Sequence, residues 1–417
     1  MSTAYPVRAI EPGEYRAFCA VSEHAFNSSW PAEPSSELAR TTFEFDRSAA
    51  AFDGAQIVGT AANFTFRLSV PGATVAAAGV SFVAVLPSHR RRGIMSALIR
   101  HLLADAIARD EPVAVLWAAE PEIYGRFGYG CASGQLNLSI RRSEARLVPP
   151  PLPGRAGAAA PRLRIADPAA VLGELAAVYD PVAAGRPGAI ARDDRWWRAV
   201  TADPEWAREG AAPLRCLLAS DDRGPRGYAL YAARPTWGED SLPAGQLSVR
   251  ELVAADAETE LALWSDLLSR DLITEVRAAA RPLDDPLLQW LGGPRRARAR
   301  LMDGLWARLI DVPAALRQRQ YACDVDVVIE VADGELPGNC GRWRLKAAAG
   351  EQASCEPTTA AADLTATAQA LGAAYLGGTG LASLAAAGHV TASRPAALAT
   401  LTTAMSADRA PWCPTEF

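Results

Sequence analysis

The stretch from Phe82 to Met95 constrains the fold of this chain more than any other. Phe82–Leu86 is apolar, as a strand covered on both faces requires. Pro87 cannot donate a ladder hydrogen bond and ends it. Past Arg90, Arg91, Arg92 and Gly93, the positions Ile94, Met95, Leu98, Ile99, Leu102, Leu103, Ala106 and Ile107 recur at helical spacing and predict a helix over 94–109. A strand that feeds a helix through so short a turn belongs to an α/β layer. The helix start carries free N–H groups and a partial positive charge, which favour an anion. Gly93 lets a ligand come close to the backbone, and the arginines keep their charge at any working pH. A pyrophosphate suits that arrangement.

The α/β rhythm extends around this turn. Strands are expected near Ala49–Phe52, over Gln56–Val70, where Asn63–Val70 alternates strictly, and up to Val85. Turns at Asp53-Gly54 and Pro71-Gly72 join them. Val113–Trp117 is a further buried strand, and a short helix containing Tyr124 follows. These elements assign 1–146 to a first domain. Pro149–Gly154 and the Ala/Gly-rich run to Ala160 read as a linker. Over 147–302 the rhythm returns. A helix is expected near Ala169–Tyr179, ahead of Arg192–Val200 with its Trp196-Trp197 pair, followed by strands at Gly227–Tyr231 and Leu247–Ala254 and an amphipathic helix over Glu258–Ser269. The strand–helix junction here is Ala255-Asp256-Ala257-Glu258, whose acidity repels a pyrophosphate, so this domain is expected to share the architecture without the anion site. Residues 303–417 read as α+β, with strand signals at Asp326–Val331 and Gly341–Ala347 and helical signals at Thr365–Leu371 and Leu381–Ala387. Two to three domains also suit 417 residues, because single cores stop growing near about 250–300 residues.

A net charge of −5 argues against a general nucleic-acid binder. No apolar run reaches the ~18 residues of a membrane span, and the N-terminus lacks a signal-peptide core. The seven cysteines are scattered and none forms a C-x-x-C pair, so neither a disulfide framework nor a metal site is expected. Together these features predict a cytoplasmic protein with no nucleic-acid or membrane partner.

The turn Arg90-Arg91-Arg92-Gly93-Ile94-Met95 resembles motif A of the GNAT acetyltransferases, R/Q-x-x-G-x-G/A, with Met95 where a second small residue is usual. Taken with Val83–His89 before it, Ile123-Tyr124-Gly125-Arg126-Phe127-Gly128-Tyr129-Gly130, and the final Ala410-Pro411-Trp412-Cys413-Pro414-Thr415-Glu416-Phe417, it resembles the enhanced intracellular survival (Eis) family of N-acetyltransferases over essentially the whole chain. The resemblance implies two tandem GNAT-like domains, the second degenerate, followed by a sterol-carrier-protein-like domain. It also implies acetyl-CoA as co-substrate without a metal. The acceptor would be a small-molecule amine (aminoglycoside, polyamine or lysine), and the assembly a homo-hexamer.

Acetyl transfer needs an amine that loses a proton, a stabilised oxyanion and a proton for the departing thiolate. Tyr124, just past the C-terminal end of a strand, is the candidate acid, since a phenol is protonated at pH 7. The resemblance gives the matching tyrosine that role, whereas Tyr129 reads as a packed aromatic. None of His24, His89, His101 and His389 belongs to a recognisable constellation, so the residues alone leave the base open; the resemblance implies the carboxylate of a terminal Phe417. By position, Val83, Ala84 and Val85 would offer strand backbone to the pantetheine arm. Arg91, Arg92, Gly93, Ile94, Met95 and Ser96 would surround the pyrophosphate, and Ala119 and Glu120 would flank the arm. Phe26, Trp30, Phe82 and Glu416 are candidates for the acceptor site. Two other classes stay open on the residues: a non-catalytic acyl-CoA-binding regulatory protein, and a lipid-binding module centred on 304–417.

Overall fold

The computed structural model describes residues 5–27, 32–150 and 161–417, so Trp30 and most of the expected linker lie outside the described residues. The chain divides into two compact units. The first holds Met1–Ser133, Arg186–Ala191 and Gly304–Phe417, and the second holds Gly134–Gly185 and Arg192–Asp303.

The first unit starts with β1 (Val7–Arg8), helices α1 (Tyr15–Phe26) and α2 (Ala32–Arg40), then β2 (Ser48–Asp53), β3 (Gln56–Val70) and β4 (Ala73–Val85). Strands β2 to β4 form an antiparallel meander. Helix α3 (Ile94–Ala108) then carries the chain back so that β5 (Val113–Trp117) runs parallel to β4, the crossover a parallel pair requires. Helix α4 (Pro121–Tyr124) and β6 (Gly130–Cys131) follow. Period-2 alternation sends successive residues to opposite faces. Ala49, Ala51, Val58 and Ala61 meet Leu98 and Leu102 of α3, while Ala50, Phe52, Ile57 and Ala62 meet Phe18 and Cys19 of α1. The two helices therefore cover opposite faces. Arg47, buried at the start of β2, forks onto Asp105 of α3 and onto Glu111, both at 2.6 Å. That anchors the far end of α3 and leaves its N-terminus at the sheet edge.

The second unit repeats the plan with β7 (Gly134–Arg141), β8 (Arg162–Ala166), α5 (Leu172–Ala184), α6 (Asp194–Thr201), β9 (Arg215–Asp221), β10 (Gly224–Arg234), β11 (Gly245–Ala254), α7 (Ala257–Ser269), β12 (Ile273–Arg281), α8 (Leu287–Trp290), α9 (Pro294–Ala297) and β13 (Arg300–Asp303). Its sheet order is β13-β7-β12-β11-β10-β9-β8, with β11 and β12 parallel around the α7 crossover. Leu263, Trp264 and Leu267 of α7 fill its core.

The chain then returns to the first unit with β14 (Leu305–Leu309), which lies between β5 and β6, and α10 (Val312–Arg317). A separate sheet follows in this unit, ordered β17 (Ser354–Pro357), β16 (Gly341–Ala347), β15 (Val325–Ala332), β18 (Leu364–Thr367), β19 (Val390–Ala392). Helices α11 (Ala368–Ala374), α12 (Leu381–Ala386) and α13 (Pro395–Ala404) complete it.

The expected boundary at 146 does not coincide with the units, whereas that at 302 falls one residue before the second unit ends at Asp303. Strand β7 pairs with β12 and β13, so the chain enters the second unit at Gly134, whereas β14 pairs with β5 and β6 in the first. An apolar strand is legible from its alternation; which ladder it joins is not. The helical signal at Thr365–Leu371 also needs correction. Leu364 and Ala366 are buried while Thr365 and Thr367 are exposed, a period of two, and β18 pairs in parallel with β15. The helix starts only behind Thr367, whose Oγ1 accepts the Ala370 N–H. Among the described residues, no helix is long and apolar enough to cross a membrane.

Candidate active site

The site begins where β4 leaves β5. The two strands pair from Ala77–Val113 to Val80–Leu116 and no further. The β3–β4 ladder continues to Gly59–Val85, with its register broken opposite Ala61. The extra residue bends β4 there, as a β-bulge does. Phe82 takes φ +53°, and its carbonyl accepts the Thr60 hydroxyl at 2.8 Å. Beyond Val80, a gap therefore opens on the β5 side. The Leu86 N–H donates to the Val58 carbonyl at 3.0 Å. By the alternation of an antiparallel ladder, Ala84 also bonds toward β3, and the backbone groups of Val83 and Val85 point into the gap.

A cavity of about 660 Å³ fills this gap. Val83, Ala84 and Val85 form one wall, and Ala119 and Glu120 lie along another. Phe26 reaches it from the end of α1, while Gly93, Ile94, Met95 and Ser96 reach it from the start of α3. Since those helices cover opposite faces, the cavity passes through the sheet.

The α3 end of the cavity is built for an anion. Gly93 is the N-cap residue at φ +82°, no side chain caps the helix, and its first turn holds no acidic residue. The free amides of that turn are unopposed. Nothing lies within 4 Å of where a Gly93 Cβ would stand, so the backbone conformation, not crowding, calls for glycine. Arg90 and Arg91 also line the cavity. At the matching junction of the second unit, Asp256 accepts the Thr259 N–H at 2.8 Å and pairs with Arg226 at 2.6 Å. Burial works against its charge, but the cap bond and Arg226 outweigh that and hold its carboxyl below the usual range. A carboxylate of the chain itself thus occupies the start of α7, as the acidic sequence there led one to expect.

Tyr124 closes α4, is 7% exposed and lines the same cavity. Burial, with a smaller contribution from the Glu120 carboxylate, pushes its phenol up to about 12. Tyr129 meets it edge-on at 6.1 Å but is fully buried in the core.

Not every sequence candidate reaches the cavity. Arg92 turns aside and donates to the Tyr5 hydroxyl at 2.8 Å. The Phe82 ring packs against Phe18 and Phe43, at 5.8 and 5.5 Å. Glu416 is exposed and Phe417 half-buried, and neither belongs to the cavity wall. The Phe417 ring instead lies 4.8 Å from Phe66 and 6.4 Å from Phe64, on the face of β3 that α1 covers. The tail is held at two points before it. The Trp412 N–H donates to the Pro187 carbonyl at 2.8 Å, and Trp117 Nε1 donates to the Thr415 carbonyl at 3.1 Å. Pro187 sits in the segment Arg186–Ala191, which hydrogen-bonds to Ser69 at the end of β3.

Five wall residues escaped the sequence reading: Ala25, His89, Arg90 as a cavity group, Ile123 and Arg126. His89 contacts Ser88 at 2.9 Å and Asp53 at 3.2 Å and braces the arginine turn. Arg126 lies two residues past Tyr124 in the same turn, a proximity that could have flagged it. Among the described residues, no group of three or more His, Cys, Asp or Glu side chains could hold a metal ion.

Comparison with known proteins agrees with this geometry. GNAT acetyltransferase domain patterns match residues 6–132 and 188–309, and a sterol carrier protein domain pattern matches 312–414. An uncharacterised N-acetyltransferase of Streptomyces avermitilis is 43% identical over 412 residues, 99% of each chain. The N-acetyltransferase Eis of Mycobacterium tuberculosis is 36% identical over 85% of this chain and 84% of its own. Among solved structures, Eis1 from Mycobacterium abscessus superposes with a TM-score of 0.82 at 33% identity, covering 99% of this chain and all of the other.

Proposed function

The chain belongs to the Eis-type family of GNAT N-acetyltransferases, and from that premise we propose that it acetylates an amine of a small cationic acceptor such as an aminoglycoside, a polyamine or lysine. One observation carries this reading: a single cavity joins an uncapped, acid-free helix start to a buried tyrosine through a gap lined with free strand backbone.

The fold implies acetyl-CoA as co-substrate, and these residues fit it. When bound, it supplies an activated acetyl thioester. Arg91 and the first amides of α3 hold its phosphates, and the backbone of Val83 and Val85 binds the arm as an added strand would. An N–H from that wall offers the carbonyl oxygen a donor whose strength grows as charge develops. The terminal carboxylate of Phe417 accepts the proton of the attacking amine, which reaches it from the face covered by α1. Phe26 walls that side, and the exposed Glu416 carboxylate, off the cavity wall, adds negative charge near the tail that attracts a cation.

Tyr124 donates to the departing sulfur. Burial holds its phenol up at about 12, above a thiol's ordinary value of about 8.5, so full proton transfer is uphill even to the freed thiolate and more so to sulfur still bonded to carbon. Tyr124 therefore acts chiefly through a hydrogen bond that offsets charge on sulfur in the transition state, and it completes proton delivery late.

The test is thiol release from acetyl-CoA, with native-terminus protein, against a panel of aminoglycosides, polyamines and lysine peptides. Turnover on any class supports the transferase reading and names the acceptor chemistry. Tight acetyl-CoA binding with silence across the panel replaces it with the non-catalytic reading.

A further inference from the structure

We propose that Arg126 is a further coenzyme-binding residue, closing on the pyrophosphate of acetyl-CoA from the Met95 side of the α3 N-terminus. The inference rests on the acetyltransferase reading for the identity of the occupant. Arg126 lies in the Gly125–Phe127 turn behind α4 and lines the same cavity as the first turn of α3. Its Nη2 points at Met95 Sδ at 3.6 Å, and its guanidinium carbon stands 4.8 Å from the Phe127 ring centre. Among the described residues, no carboxylate lies within ion-pair distance of it. Neighbouring arginines differ: Arg100 pairs with Glu335 at 2.7 Å, and Arg109 with Asp46 at 2.8 Å.

A thioether is a weak acceptor for a guanidinium that carries five donors. A phosphate is a far better one, because the bond becomes charge-assisted and can be bidentate. Met95 is the second residue of α3, so the group that Arg126 now touches stands beside the unopposed amides. On binding, Arg126 need only exchange sulfur for a phosphate oxygen. It also follows Tyr124 by two residues in one short turn that Gly128 closes at φ +84°. The turn that presents the tyrosine at the thioester end thereby presents a cation at the phosphate end. Where the usual motif has a small residue that lets backbone approach the phosphates, this chain has Met95 and a cation resting on it.

The experiment is calorimetric titration of the full-length protein with CoA and with 3′-dephospho-CoA, for the wild type, Arg126→Gln and Arg126→Lys. Arg100→Gln, whose side chain pairs with Glu335 away from the cavity wall, controls for loss of one exposed charge. Arg126→Gln should weaken both ligands about tenfold, the low end for a charge-assisted bond at an exposed group. Arg126→Lys should fall between it and the wild type, and Arg100→Gln should bind like the wild type. Equal affinity of Arg126→Gln and wild type overturns the inference. So does a loss confined to CoA, which would place Arg126 on the 3′-phosphate instead. A wild type that binds neither ligand sinks the acetyltransferase reading along with this one, whereas an unchanged variant beside a binding wild type sinks only this one.

Discussion

Replacing Gly93 by aspartate would put the helix start of the first unit into the electrostatic state that Asp256 gives the second. Two effects must be separated. Gly93 sits at φ +82°, where a residue with a Cβ is strained by about 1–2 kcal/mol. Nothing lies within 4 Å of that Cβ, so no clash adds to the strain. Gly93→Ala carries this cost without charge. The aspartate adds a carboxylate roughly 5 Å from a phosphate lodged on the first turn. At an effective dielectric of about 20, unit charges at that distance repel by about 3 kcal/mol. Gly93 is exposed, so water and salt trim this to about 1.5–3 kcal/mol, a ten- to hundredfold loss of affinity. CoA titration of both variants, with melting curves, resolves the two. The melting temperatures should fall together, and the affinity of the aspartate variant should lie ten- to hundredfold below that of the alanine variant, with a ratio that shrinks as salt rises. If Gly93→Asp binds CoA as tightly as Gly93→Ala, the phosphates do not sit on α3 and the functional reading of the turn is wrong.

Tyr124→Phe should lower turnover about 10²–10⁴-fold with little change in CoA affinity. The protonated phenol is the active form and burial raises its pKa to about 12, so wild-type turnover should show no loss from phenol ionisation between about pH 7 and 10; a fall centred near 10 would contradict this. Residues appended after Phe417 should cut the catalytic rate at unchanged CoA affinity, and Trp117→Phe, which keeps a ring but deletes the donor to Thr415, should do the same in weaker form. Full activity in both would remove the tail from the chemistry. Asp333 accepts two bonds from Arg308, at 2.9 and 2.8 Å, with both side chains buried; Asp333→Asn strands the guanidinium and should cost about 3–5 kcal/mol of stability. Burial opposes the Asp333 charge, yet Arg308 and Asn339 hold its carboxyl below the usual range. Its contribution is therefore present above the unfolded value of about 4 and lost as pH falls through the lower folded value, and melting curves from pH 5 down to about 2.5 should show a drop in the wild type that is shallower in the variant.

The arginine turn was readable because each of its constraints is local: a proline that ends the strand, a glycine that adopts positive φ, and an apolar helix repeat. The contrast between Gly93 and Asp256 was readable for the same reason. Other features depend on partners distant in the chain. Nothing in Gly134–Arg141 or Leu305–Leu309 says that the first joins the sheet of β12 while the second inserts beside β5. Nothing in Thr365–Leu371 says that its first residues will pair with β15, because Ala and Thr alternate weakly enough to suit either period.

Within the site, the sequence by itself determined the chemistry on offer: cations, free amides and a phenol at the edge of an α/β sheet. Only the tertiary structure decided which of them share a space. Three consecutive arginines are equivalent on paper, yet Arg90 and Arg91 line the cavity while Arg92 swings to Tyr5, because Arg91 takes φ +62° and turns the chain between them. Arg126 reads as a solvated charge until Met95 is placed beside it. Backbone preferences act over a few residues and survive in any context, whereas the aim of a long side chain depends on what the rest of the fold brings within its reach.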